Sequence, residues 1–245
     1  MSKYLIEVNF QDHANYSVLR ENSAQQAKHL NMIPIGLNEV HKTSLHYPLV
    51  WIKSSVSGQF KLVALFGFEP GENLYCKNDI WNNNHIPLHL QSDPFYLAYS
   101  NNETDKEKYL CVNINSQKID VNGKKNKTGL TFFNGNGEKN ICLHQAQEIL
   151  ATLAHGEMLN EMFIKTANQL DLFQSLSLDI TWHNHQTSKI LGLYTIDPSK
   201  LEQLNENQIY KLKSNGYIEF IHQLNYSLNH IENLIKLKNN LIVKA

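Results

Sequence analysis

The first half of the chain consists of short apolar runs separated by polar turns. Residues 4–8 alternate as a short strand does. Residues 49–52 and 62–68 are apolar with β-branched and aromatic members, which predicts two stronger strands. Ser57-Gly58 between them predicts a hairpin turn, and Pro70-Gly71 a second turn. Further strands are expected at residues 73–76, 95–99, 109–114 and 130–133. Their connections are asparagine-rich, at Asn82-Asn83-Asn84 and Asn101-Asn102, with turns at Asn122-Gly123 and Asn134-Gly135-Asn136-Gly137. Two short helices are expected in this half. One covers residues 23–30 with Ser23 as N-cap. The other covers residues 36–46, with Leu37, Val40 and Leu45 on one side. It stops ahead of Tyr47-Pro48, because proline disfavours helical geometry in the residue before it.

From Ile141 the apolar period changes to three and four. Leu143, Ala146, Leu150 and Leu153 predict a helix that Asn140 could cap. Gly156 predicts an interruption, and Leu159, Phe163, Ala167 and Leu170 a second helix. Residues 175–181 and 190–196 read as a strand pair. Short helices are expected at 198–204 and 206–213, stopped by Ser214-Asn215-Gly216. Ile221, Leu224, Leu228, Ile231 and Ile235 then form one long amphipathic stripe. The pattern predicts an α+β fold: a β-rich N-terminal half of antiparallel strands packed with a helix-rich C-terminal half, as a single domain over residues 1–245.

Composition narrows the functions. A chain of 245 residues can bury a substantial core. Lys and Arg number 22 against 23 Asp and Glu, so no overall charge points to nucleic acid or to an anionic membrane. The near-zero balance tolerates self-association and leaves a homo-oligomer open. Cys76, Cys111 and Cys142 are too few and too scattered for a disulfide framework or a CxxC metal site, which predicts a reducing, cytoplasmic setting. The first residues lack the apolar core of a signal peptide, and no run is long enough for a transmembrane helix. Non-classical export to the cell surface stays open.

The stretch from Tyr47-Pro48 through Val63-Ala64-Leu65-Phe66-Gly67-Phe68, Gly71-Glu72-Asn73-Leu74-Tyr75, Trp81, Ile86-Pro87 and Pro94-Phe95 resembles the SapC family in order and spacing. Weaker similarity continues through Leu110-Cys111-Val112, Leu191-Gly192-Leu193-Tyr194 and Gly216-Tyr217-Ile218, over about nine-tenths of the chain. Two places depart from the family pattern. Asp79-Ile80-Trp81 stands where relatives usually have a Gly-Arg-Trp-like run, and Gln91-Ser92-Asp93 where they often carry arginines. The resemblance implies a bacterial surface-layer connection. It also implies relatives encoded near outer-membrane transport genes and near halogenase-like and cupin-like oxygenase genes. It supplies no catalytic residues.

Within that stretch Glu72 and Asn73 follow a turn and precede a predicted strand. Each either satisfies backbone groups or lines a ligand site. With Trp81 they are the candidate ligand-binding residues. Trp81 and Phe95 are expected in one apolar cluster with the strand at 62–68. His85 and His89 have the i,i+4 spacing of a helical zinc site, but Pro87 suits the first helical position and leaves His85 outside. His183 and His185 would share one face of a strand, about 6–7 Å apart, as an iron oxygenase pair would. Residues 182–189 read instead as a hairpin loop, and no third ligand is identifiable. No metal and no cofactor is expected. His222, Asn225, Ser227 and His230 fall on or near the polar side of the last stripe, and Lys236, Lys238 and Lys244 read as solvated.

Two functions follow. The first is a non-enzymatic binding or accessory protein of the surface layer or cell envelope, with a protein or peptide partner. The alternative is a peptide- or protein-modifying enzyme, metal-dependent and oxygenase-like.

Overall fold

A computed structural model describes residues 4–19, 27–78, 80–99, 108–121 and 129–243. The expected cap at Ser23, the Asn101-Asn102 loop, the Asn122-Gly123 turn and Lys244 lie outside the described residues. The fold is α+β, with antiparallel sheets in the N-terminal half and helices in the C-terminal half. Contacts cluster into two compact units, each assembled from two chain segments: residues 1–23 with 88–154, and residues 24–87 with 155–245.

The first unit holds β1 (Leu5–Glu7), β2 (Ser17–Val18), β8 (Phe95–Tyr99), β9 (Lys108–Asn113), β10 (Ile119–Asp120) and β11 (Leu130–Thr131). They form two small sheets of order β1-β9-β8 and β10-β2-β11. Its core joins Phe95, Leu110, Val112 and Phe132 to Leu143, Ala146 and Leu150, the stripe that the helical period predicts. Phe95 faces Phe132 at 5.3 Å between ring centroids. Phe95 therefore does not share a cluster with Trp81. The boundary between the units falls at Pro87 and Leu88, so a continuous sequence motif is divided between two cores.

The second unit is built on a five-stranded antiparallel sheet of order β12-β13-β4-β5-β3. Its strands are β3 (Met32–Pro34), β4 (Leu49–Lys53), β5 (Phe60–Leu65), β12 (Phe173–Thr181) and β13 (Thr187–Ile196). Gly58 turns the β4–β5 hairpin at φ 66°, a conformation that favours glycine. Trp51 of β4, 1% exposed, stacks on Phe163 at 5.5 Å and meets Phe173 and Phe220 edge-on. Aromatic pairs of this kind add about 0.5–1.5 kcal/mol each beyond the area they bury. The strand expected at 73–76 is displaced: residues 73–75 are loop and turn, and Cys76–Lys77 (β6) pairs with Ile80–Trp81 (β7).

Two helical expectations are corrected. The region from Ile141 is one continuous helix, Ile141–Gln169, and Gly156 does not break it. A Cβ there would lie 2.3 Å from Asn38 Oδ1 and 2.8 Å from the Gly36 Cα. Gly156 thus serves close approach to the 3-10 turn Leu37–Glu39, and one helical turn on, Asn160 donates to the Ile35 carbonyl at 2.8 Å. The final stripe is two helices, Tyr217–Ser227 and His230–Ile242. Ser227 is buried rather than on the polar side. Its hydroxyl donates to the Leu224 carbonyl and accepts from the Leu49 amide, which ties the helix end to β4. The helix Glu206–Ser214 carries a full capping box between Asn205 and Gln208.

Gly156→Ala is expected to lower the unfolding midpoint. Relief of glycine's helical penalty gains about 1 kcal/mol. The overlap with Gly36 and Asn38 costs about 1–3 kcal/mol, because one of those contacts is backbone. Denaturant unfolding of both proteins checks the sign.

Candidate functional site

The family-like stretch of the second unit folds back around Tyr47. Residues 37–43 form a 3-10 turn and a short helix, Val40–Thr43, and Pro48 ends the turn that follows. This places Tyr47, 0% exposed, under the loop that follows β7. A buried hydroxyl needs partners. Tyr47 donates to the His85 carbonyl, and the Trp81 Nε1–H donates both to the Tyr47 oxygen and to the His85 carbonyl, at 3.1 Å each. Rings close round it: Phe66 at 5.3 Å and Tyr75 at 4.9 Å, both edge-on. Trp81 in turn meets Phe66 edge-on at 5.1 Å.

The same loop sets His85 beside a carboxylate. His85 Nε2 lies 3.4 Å from Oε1 of buried Glu39 and 3.3 Å from the Thr43 hydroxyl. That hydroxyl already donates to the Glu39 carbonyl at 2.9 Å, so toward His85 it accepts. Both contacts suit an Nε2–H tautomer. The His46 ring stacks on His85 at 5.7 Å. Burial lowers the His85 pKa below its ordinary value of 6.5, and the neighbouring His46 and Lys42 lower it further. Glu39 alone would pull the other way. Desolvation outweighs it, so the imidazole is neutral near pH 7 and the contact is a hydrogen bond, not an ion pair. Burial likewise raises the Tyr47 and Tyr75 phenols far above their ordinary value, so both stay protonated.

The three candidate ligand residues fall into three separate networks. Glu72 Oε2 accepts from the Phe68 amide at 2.8 Å, closing the turn around Gly71, whose φ is 86°. Gly67 makes room for it: a Cβ there would lie 2.5 Å from the Glu72 carbonyl. Glu72 Oε1 pairs with Lys238 at 2.8 Å, and Glu69 pairs with the same ammonium at 2.6 Å. Lys238 is 12% exposed by its side chain, not a solvated lysine, and lies 5.3 Å from the Trp182 ring centroid. Burial alone would lower its pKa, but the two carboxylates hold it above the ordinary value. Asn73 donates to the Ala27 carbonyl at 2.7 Å and accepts from the Tyr75 amide at 3.0 Å. Trp81 belongs to the Tyr47 network.

Sequence reasoning passed over Glu39, Thr43 and His46. The spacing 39-43-46 marks one helical face, and a charged residue followed by Thr and His on that face is the available signal. His85 was paired in sequence with His89, which lies in the helix Leu88–Ser92 while His85 precedes it. His185 sits in a tight turn with φ 63°, and Trp182 and Gln186 close that turn. Among the described residues no group of three His, Cys, Asp or Glu side chains is placed to hold a metal.

A lowered histidine pKa makes stability depend on pH with a fixed sign. The folded state binds the proton more weakly than the unfolded chain, so stability is complete above pH 6.5 and is lost as pH falls toward the lowered value. His85→Asn should flatten that loss. Unfolding midpoints at pH 7.5 and 5.5 should lie closer together in the variant than in the parent chain.

A protein-family model described as SapC matches residues 8–234, which includes the Tyr47 network and Glu72 but stops short of Lys238. No curated protein and no solved structure matches the chain. The match spans nearly the whole sequence, and the chain belongs to the SapC family.

Proposed function

We propose that this chain is a non-enzymatic binding or accessory protein linked to bacterial surface-layer or cell-envelope function. The supporting observation is what the family-like residues do. The polar groups of Glu72, Asn73, Trp81 and Tyr47 bond to backbone groups of Phe68, Ala27, Tyr75 and His85, and Trp81 also to the Tyr47 hydroxyl, so the stretch stabilises a shape. On this reading Glu72, Asn73 and the half-buried Trp81 form the surface that a protein or peptide partner meets, and they act through that shape. The potential nucleophiles point the same way. Burial raises the thiol pKa of Cys111 and of Cys142, opposite to what an activated thiolate needs.

The enzyme reading has one structural support: the neutral His85 held beside Glu39, a pairing suited to proton transfer. Two measurements separate the readings. Purified chain should co-sediment with isolated bacterial envelopes, and deletion of its gene should disturb the surface layer. Chain left in the supernatant together with an unchanged surface layer would sink the proposal. Near-stoichiometric iron or zinc in untagged protein, with oxygen-dependent modification of a peptide, would put the enzyme first.

The proposal also keeps the protein in a reducing compartment. Cys76, Cys111 and Cys142 form no disulfide with one another, and the Cys142 thiol donates to the Thr131 carbonyl at 3.2 Å. Thiol titration of freshly purified, denatured protein without reductant should count three. A lower count would contradict the cytoplasmic placement.

A further inference from the structure

The second unit contains a cavity of about 190 Å³ on one face of its five-stranded sheet, where the long helix ends. Its aromatic floor is Phe60 of β5 stacked on Phe173 of β12, with centroids 3.8 Å apart and planes 18° apart. Tyr194 of β13 stands edge-on to Phe60 at 5.1 Å. The register explains the grouping. Lys53 pairs with Phe60 across β4 and β5, and Tyr194 pairs with Trp51, two residues from Lys53 on the same face. Lys53 therefore reaches over both rings, with Nζ 4.9 Å from the Phe60 centroid and 5.0 Å from that of Tyr194.

The charges around this cavity are unequal. The acid on its wall, Asp171, is neutralised: Lys200 bonds its carboxylate at 2.8 Å and its carbonyl at 2.6 Å. Lys53 has no carboxylate partner among the described residues. The hydroxyls of Tyr194 and of Ser175, which pairs with Tyr194 across β12 and β13, likewise have no hydrogen-bond partner among them. A cation and two hydroxyls thus border an aromatic wall. The volume is below the roughly 300–1,000 Å³ of sites for drug-sized ligands. We infer that this cavity binds a small planar carboxylate, its flat body against the edges of the Phe60–Phe173 stack and its carboxylate on Lys53, Tyr194 and Ser175. A charge-assisted bond to an ammonium is stronger than one between neutral groups. This site is independent of the envelope reading.

The probe is sodium benzoate, titrated into the full chain at constant ionic strength and followed by NMR shifts of the ring protons of Tyr194 and Phe60. Saturable binding with a Kd of the order of 1 mM is expected for so small a ligand. Benzamide, which has the same shape without the charge, and acetate, which has the charge without the ring, should each bind at least tenfold more weakly. Lys53→Gln lies on an exposed side chain, so the fold should be kept, and it should lose benzoate affinity at least tenfold. Tyr194→Phe should lose a few-fold. The inference fails if benzoate produces no saturable shift, if benzamide or acetate matches it, or if folded Lys53→Gln protein binds it as well as the parent chain.

Discussion

A fully buried phenol cannot be left without hydrogen bonds, and Tyr47 makes the folding of its neighbourhood conditional on one loop. Its hydroxyl oxygen receives the Trp81 indole N–H while its proton goes to the His85 carbonyl. Those bonds form only if residues 81–85 lie across the ring. That requirement fixes the β6–β7 hairpin, brings Trp81 onto Phe66, and carries the His85 imidazole to Glu39. A carboxylate and an imidazole near an aromatic core are costly to bury separately. Here the imidazole stays neutral and donates, so the pair is held without a full ionic desolvation.

A second tie acts at the far end of the same motif. Glu72 closes its own turn onto the Phe68 amide and at the same time holds Lys238 of the last helix. Lys238 lies over Trp182, which packs edge-on against Phe68 at 5.4 Å and donates to Ser188 at 2.7 Å. The loop, the β12–β13 turn and the last helix of this unit are joined through one ammonium. An ammonium shared by two carboxylates under an aromatic ring is screened less than a surface pair. Glu72, a candidate ligand residue in the sequence, also acts as a clasp.

Glycines show the same economy of space. Gly67 admits Glu72, and Gly156 admits the turn of Gly36 and Asn38 against the long helix. In a sequence, glycine within a helical period reads as a break, because its backbone entropy disfavours helix. In the fold the missing Cβ is what lets two backbones approach, and the continuous helical hydrogen bonding on either side carries the helix through.

The sequence by itself determined the α+β class, the strands at 49–52 and 95–99, the hairpin at Ser57-Gly58, the helical stripe of Leu143, Ala146 and Leu150, a turn that begins at Trp182, and the family. These are local or periodic properties: alternation, three-four spacing and turn chemistry act over a few residues and survive in any context. Tertiary structure decided the rest. It separated Phe95 from Trp81 into different cores, ran one helix through Gly156, split the last stripe at a buried Ser227, and joined Glu39 to His85 and Glu72 to Lys238. Each of these depends on a partner 34 to 178 positions away, and the sequence pattern around one residue holds no record of which distant group will meet it.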